Sequence, residues 1–113
     1  MHELSISISL VEQALAIMQK EGDKRARRMT LEVGAFSGIS IEALHFCFPE
    51  ATKGTALENC HLIIKQIPLC IYCPTCKKEV ILKDPFIMCS HCHEVQVEVI
   101  RGKEFNLLSM EVE

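Results

Sequence analysis

The chain has 113 residues, 49% of them hydrophobic, and a net charge of −3. That length suits one domain, or a small domain carrying a still smaller module, and the acidic balance argues against nucleic acid, whose binders carry a basic face. No apolar run approaches the ~18 residues of a membrane span, and no basic segment precedes an apolar stretch near the N-terminus, so neither a span nor a signal peptide is expected and the protein is expected in the cytoplasm.

In residues 4–21, Leu4, Ile8, Val11, Leu15 and Met18 recur at helical spacing, and Ile6, Leu10, Ala14 and Ile17 widen the stripe. The periodicity predicts a helix that starts just after Glu3 and is capped by Gly22. Lys24, Arg25, Arg27 and Arg28 then read as a solvated turn near the helix C-terminus, where cations are favoured. "MTLEVGAF" alternates, with Met29, Leu31, Val33 and Ala35 on one face, and predicts a half-buried strand. Ser40 can N-cap a second helix spaced by Ile41, Leu44 and Phe48. Pro49, which lacks an N–H and crowds the preceding turn, should kink or restart that helix, which should end by Gly54. "CHLIIKQI" predicts a second strand over 60–67, closed by Pro68. From residue 69 to about 94 cysteines and short polar pieces replace the amphipathic elements, after which "VQVEVI" and "FNLLSMEV" read as strands separated by the turn "RGKE". The expected fold is α+β, a small three-stranded sheet with two helices plus an inserted zinc-ribbon module. Residues 1–68 together with 100–113 would form the α/β domain, and 69–99 the ribbon.

Seven cysteines in a cytosolic chain point to metal rather than to disulfides. Cys73-Pro-Thr-Cys76 is followed, after twelve residues, by Cys89-Ser-His-Cys92. Each tight Cys-x-x-Cys turn aims two sulfurs at one ion, and four thiolates satisfy tetrahedral Zn(II) with no open position, so the site is structural and not catalytic. Iron in a rubredoxin-like site would use the same ligands. Paired redox dithiols are the other reading, without the thioredoxin-like βαβ surroundings they need. A module of this size is expected to lack a core that holds without metal. Lys77, Lys78 and Lys83 lie near enough in sequence to offset the negative charge of the site. Cys47 and Cys60 read as packing thiols. Cys70 overlaps the motif as Cys70-x-x-Cys73, and His91 and His93 flank the second pair as surface histidines able to replace a thiolate.

The first three residues offer a second kind of site. The leading N–H groups of a helix have no intrahelical partner and sit at the positive end of its dipole. The Met1 amine, the His2 amide and the His2 imidazole can chelate one ion in fused rings, and Glu3 can add its amide or carboxylate. Such a nitrogen-rich set suits Ni(II) or Cu(II) better than zinc. Taken alone, a histidine at position 2 reads first as a frayed terminus, and as a ligand only second.

"MHELS", "LEVGAFSGI" followed by "EALHFCF", "KGT" before the second strand, the paired Cys-x-x-Cys and the closing "LLSMEVE" together resemble the HypA/HybF family over essentially the whole chain. Members of that family are nickel metallochaperones for the maturation of nickel-iron hydrogenase and, in some organisms, of urease; they are not enzymes. The resemblance implies nickel at His2, helped by Glu3 and nearby backbone, and zinc at Cys73, Cys76, Cys89 and Cys92. It also implies a HypB-type accessory GTPase and a hydrogenase large-subunit precursor as partners, with urease maturation proteins as a further client; the chain itself is expected to be a monomer or homodimer. Some members place an acidic residue near the nickel, where this chain has Ser40, and some have histidines beside both cysteine pairs, matched here by His91 and His93 alone. The competing reading is a zinc-ribbon adaptor for protein or nucleic acid, for which the ribbon supplies only Tyr72, Phe86 and three lysines.

Overall fold

The computed structural model describes residues 2–83 and 86–113. The elements run α1 (His2–Glu21), β1 (Ala26–Gly34), α2 (Ile41–Thr52), β2 (His61–Ile67), β3 (Leu69–Cys73), β4 (Lys78–Leu82), β5 (Glu98–Arg101) and β6 (Phe105–Val112). The chain divides into two compact units, one of residues 1–31, 39–65 and 106–113, the other of 32–38 and 66–105. Two helices and two small sheets make it an α+β fold with an inserted ribbon, as expected from the sequence.

In the first unit α1 begins at His2, not after Glu3. The N–H groups of a first turn have no intrahelical bonds to lose, and acidic Glu3 suits the positive end of the dipole, so His2 and Glu3 join the helix. It ends as predicted at Gly22, whose φ of 78° is the left-handed C-terminal conformation. The Asp23 N–H bonds the Met18 carbonyl at 2.9 Å and the Gly22 N–H bonds that of Gln19 at 3.3 Å, a Schellman cap. The buried face is Ser7, Leu10, Val11, Ala14 and Met18. It is rotated from the predicted stripe: Leu4, Ile8 and Ile17 are exposed. Apolar residues line α1 on more than one side, α1 packs against α2, and the buried side is the one carrying small Ser7 and Ala14. The Ser7 hydroxyl, fully buried, donates to the Glu3 carbonyl at 2.8 Å.

Strand β1 starts at Ala26, three residues before the predicted one, and so takes in Arg27 and Arg28. These arginines are strand residues, not a turn. Arg28 pairs with Glu111 at 2.8 Å, while Arg25 and Arg27 each reach Glu113, whose backbone also bonds Lys24 and Arg25. As exposed pairs they contribute at most about 1 kcal/mol each; the backbone bonds and the alternation do more to hold the strand. Met29, Leu31 and Val33 are fully buried, but Ala35, past the strand end, is exposed.

Helix α2 opens as predicted at Ser40, whose Oγ accepts the Ala43 N–H at 3.2 Å. Leu44, Phe48 and Thr52 form its buried face. The helix runs through Pro49 to Thr52 without restarting. Pro49 lies within the last turn, where few further bonds are lost, and the Thr52 hydroxyl donates to the Pro49 carbonyl at 3.2 Å. The sheet has the order β2-β1-β6, completed by the last strand.

The second unit holds a sheet that the cysteine-rich texture concealed, with the order β4-β3-β5. β3 pairs antiparallel with β4 from Leu69↔Leu82 to Cys73↔Lys78, and with β5 through Cys70↔Arg101 and Tyr72↔Glu98, with a bulge between Cys70 and Ile71. The strand predicted over "VQVEVI" is thus shorter and shifted, and it belongs to the ribbon. Leu69, Ile71, Val80 and Leu82 pack with Cys73 and Cys89 in one small cluster, so two motif cysteines are part of the ribbon's core.

Gly34 shows how close the backbones come in this unit. Its N–H bonds the Glu104 carbonyl at 2.7 Å, and a Cβ there would lie 2.2 Å from the Gly102 carbonyl atoms. Gly102, at φ 118°, is itself held in a conformation that favours glycine, with its N–H on the Glu104 carboxylate at 2.7 Å. Gly34→Ala is therefore expected to cost about 1–3 kcal/mol through overpacking, read as a fall in Tm on the order of 10 °C. An unchanged Tm would show that this backbone contact is not made.

Candidate metal sites

Cys73 ends β3 and Cys76 sits in the turn to β4, while Cys89 and Cys92 occupy a second turn after β4. The two turns share one local geometry. The Lys77 N–H bonds the Cys73 carbonyl at 2.7 Å and the His93 N–H bonds the Cys89 carbonyl at 2.9 Å. Lys77 and His93 both take positive φ, 55° and 65°, which turns the chain back after the second cysteine of each pair. The Cys76 N–H points at the Cys73 sulfur, 3.4 Å away. Glu94 ties the turns together: its carboxylate accepts from the Thr75 hydroxyl at 3.2 Å and the Gln96 N–H at 3.0 Å, and its carbonyl accepts the Cys89 N–H at 2.9 Å.

The four sulfurs lie within 4.8 Å of one another, with Cys73–Cys92 at 3.5 Å and Cys76–Cys89 at 3.8 Å. Sulfurs on a tetrahedral ion with 2.3 Å bonds stand roughly 3.8 Å apart, so the donor set fits one such ion and leaves no place for a substrate ligand. Cys70 is not in the cluster. Three residues from Cys73 on a strand, it faces the opposite side, where its buried sulfur meets the Arg101 guanidinium at 3.1 Å, itself 3.1 Å from Glu79. His91 and His93 are exposed and stand outside the cluster.

Three of the thiols, Cys76, Cys89 and Cys92, are electrostatically unequal. The Cys92 N–H, above all, stabilises the Cys89 thiolate and brings its pKa down to about 6. Cys76 is pushed up to about 12, first by its contact with the Cys92 sulfur and then by burial. At Cys92 the Glu94 N–H favours the thiolate, but burial and the Cys73 sulfur outweigh it and the pKa is raised. At neutral pH the metal-free cluster therefore keeps protons on Cys76 and Cys92 and a thiolate at Cys89. A metal bound by all four must displace the protons of both Cys76 and Cys92, so binding strengthens as pH rises and weakens on acidification. Zn²⁺ titration of the stripped protein in two buffers of different ionisation enthalpy should report at least that release. Release of no protons would contradict the assignment.

At the other candidate site, His2 is exposed at the start of α1, and its Nδ1 lies 3.8 Å from the Glu3 carboxylate. Glu3 is half-buried and accepts the Ser40 N–H at 3.1 Å. That N–H holds the Glu3 carboxyl below its ordinary range, against the opposing effect of burial. Met1, whose amine belongs to the expected chelate, lies outside the described residues. The His2 and Glu3 amides occupy the first helical turn, not a sheet ladder. Sequence reasoning missed the Glu94 clasp and the link from Glu3 to Ser40; only the position of Glu94, two residues after Cys92, hinted at either.

A family profile described as "Hydrogenase/urease nickel incorporation, metallochaperone, hypA" matches residues 1–112. The chain belongs to the HypA family. It is 38% identical to the hydrogenase maturation factor HypA of Chloroflexus aggregans, over 98% of each chain. It is 40% identical to the factor of that name from Trichodesmium erythraeum, over 100% of this chain and 96% of the other. In fold it is similar to the solution structure of the Ni metallochaperone HypA from Helicobacter pylori, with a TM-score of 0.69 at 22% identity, covering 99% of this chain and 97% of that one. HypA proteins are metallochaperones, not enzymes, and the closed four-sulfur cluster is the zinc-ribbon-like site of this member.

Proposed function

We propose that this chain binds Ni(II) at its N-terminus and delivers it to the large-subunit precursor of a nickel-iron hydrogenase, while Zn(II) at Cys73, Cys76, Cys89 and Cys92 holds the ribbon. The observation that carries this reading is the presence of two donor sets of opposite character, one in each unit. Four sulfurs within 4.8 Å close around one ion and retain it. His2 and Glu3, at an exposed helix start, form an open set of few ligands that can release one. The nitrogen-rich terminus suits Ni(II), and tetrahedral thiolate suits Zn(II). Zinc, when bound, supplies folding free energy to the ribbon and no chemistry.

In this reading the cargo sits on the His2 imidazole and on backbone nitrogen at His2 and Glu3, and its transfer is a ligand exchange with the client. Residues 1–68 with 100–113 act as the nickel-carrying domain and 69–99 as the zinc-bearing one, which presents a docking surface. The partners are a HypB-type accessory GTPase and the hydrogenase precursor, with urease maturation proteins as the alternative client, all in the cytoplasm, and the carrier acts as a monomer or homodimer. The adaptor reading draws little support, because Arg25, Arg27 and Arg28 are engaged with Glu111 and Glu113.

Metal analysis followed by nickel titration tests the proposal. Purified protein should retain one zinc per chain and then bind nickel without losing it, and a mild chelator should remove the nickel alone. Nickel that displaces zinc stoichiometrically would mean one shared site and would refute the reading.

A further inference from the structure

Helix α2 has an incomplete cap when only its own residues are considered. Ser40, the N-cap, satisfies the Ala43 N–H with its hydroxyl. In a capping box the residue at the third helical position returns a side chain to the N-cap N–H. Here that residue is Ala43, which has nothing to return. The Ser40 N–H is satisfied instead by the carboxylate of Glu3, at 3.1 Å and 37 residues away in sequence.

We infer that Glu3 is the capping carboxylate of α2, supplied by α1, and that it positions the metal-binding terminus instead of ligating metal through its side chain. The inference rests on the N-terminal nickel reading above and names which atoms of Glu3 that site uses. Two observations support it. The carboxylate lies at the start of α2, where the helix dipole favours negative charge. The Glu3 carbonyl is held from the other side by the buried Ser7 hydroxyl at 2.8 Å. The residue is thus fixed at both ends, by its side chain to α2 and by its carbonyl to its own helix. What remains for the cargo is the amide of Glu3 together with the His2 donors, which the first turn of α1 leaves without intrahelical partners. A terminus ordered in advance binds its ion without the cost of ordering a free chain end.

The test compares Glu3→Ala and Glu3→Gln in the zinc-loaded full chain. Before nickel is added, Glu3→Ala should speed amide exchange at Ser40 roughly five- to tenfold, the loss of one hydrogen bond. Glu3→Gln, which keeps an acceptor oxygen, should restore Ser40 to within about twofold of the parent. With nickel, Glu3→Ala should weaken binding by roughly three- to tenfold with an unchanged nickel absorption spectrum, and Glu3→Gln should recover the affinity. Unchanged Ser40 exchange in Glu3→Ala would overturn the cap. A changed spectrum in Glu3→Gln with Ser40 still protected would make the carboxylate a ligand and overturn the positioning role. Normal nickel binding by His2→Ala would instead sink the N-terminal reading and with it the positioning role, leaving the cap to be decided by the Ser40 exchange alone.

Discussion

Cys73→Ser is expected to lose its zinc and to unfold the ribbon while the helical unit persists. Cys73 is fully buried, lies within the small core of the second unit, and places its sulfur 3.5 Å from that of Cys92. Metal binding at structural zinc sites contributes on the order of 10–16 kcal/mol of apparent folding free energy, as much as an entire domain ordinarily has. The aliphatic core of Leu69, Ile71, Val80 and Leu82 cannot replace that in a unit of this size. The first unit has its own core of Leu10, Met18, Met29, Leu31, Leu44 and Phe48, which contains none of the four sulfurs. Zinc content by mass spectrometry should fall below a tenth of the parent's, roughly, if affinity follows that free energy, while helical circular dichroism stays. Cys70→Ala is the control: its sulfur faces Arg101 across the sheet, so zinc should be retained. Full zinc in Cys73→Ser, or zinc loss in Cys70→Ala, would reassign the cluster, and loss of the helical signal would mean that the two units do not fold separately.

The features that the sequence disclosed are those whose cause is local. A Cys-x-x-Cys turn is complete within four residues, so the pairing of Cys73 with Cys76 and of Cys89 with Cys92 could be read directly, and the structure brings all four together. Gly22 and Ser40 mark helix ends through their own conformation or side chain and could be read equally well. Features that depend on a neighbour could not. Leu4, Ile8 and Ile17 satisfy a helical period as well as Leu10 and Ala14 do, and only tertiary packing decides which side is buried. Strand β3 is spelled "LCIYC", apolar enough to be a strand, but its cysteines drew attention as ligands and hid the alternation that sets Cys70 and Cys73 on opposite faces. The extension of β1 through Arg27 and Arg28 depends on Glu111 and Glu113, more than 80 residues away. The bond from Ser40 to Glu3 has no sequence signature, because the donor is a backbone N–H.

His2→Ala is expected to abolish specific nickel uptake and to leave zinc untouched. His2 sits exposed at the first residue of α1, in the unit that contains none of the four cluster sulfurs. Its imidazole can close a chelate ring with its own backbone amide. Losing even an outer partner of a metal ligand costs 10–100-fold in affinity, so loss of the ligand itself should cost on the order of 100-fold or more. Calorimetric titration with nickel, paired with zinc analysis of the same sample, reads both metals at once. Joint loss of the two would refute the two-site arrangement, and normal nickel affinity would reduce His2 to an ordinary surface residue. The backbone decides what the rest of the chelate can be. Because α1 begins at His2, the His2 and Glu3 amides lie in a first turn that leaves them without intrahelical partners, whereas a strand would have committed them to a ladder. A glycine added before Met1 moves the terminal amine one residue away without touching those amides. If the amine is a ligand, nickel binding should weaken sharply, and acetylation of the unextended chain should weaken it to the same degree. If both modifications leave the affinity intact while His2→Ala destroys it, the ion is held by the imidazole and internal amides alone, and the terminus is only the place where they are free.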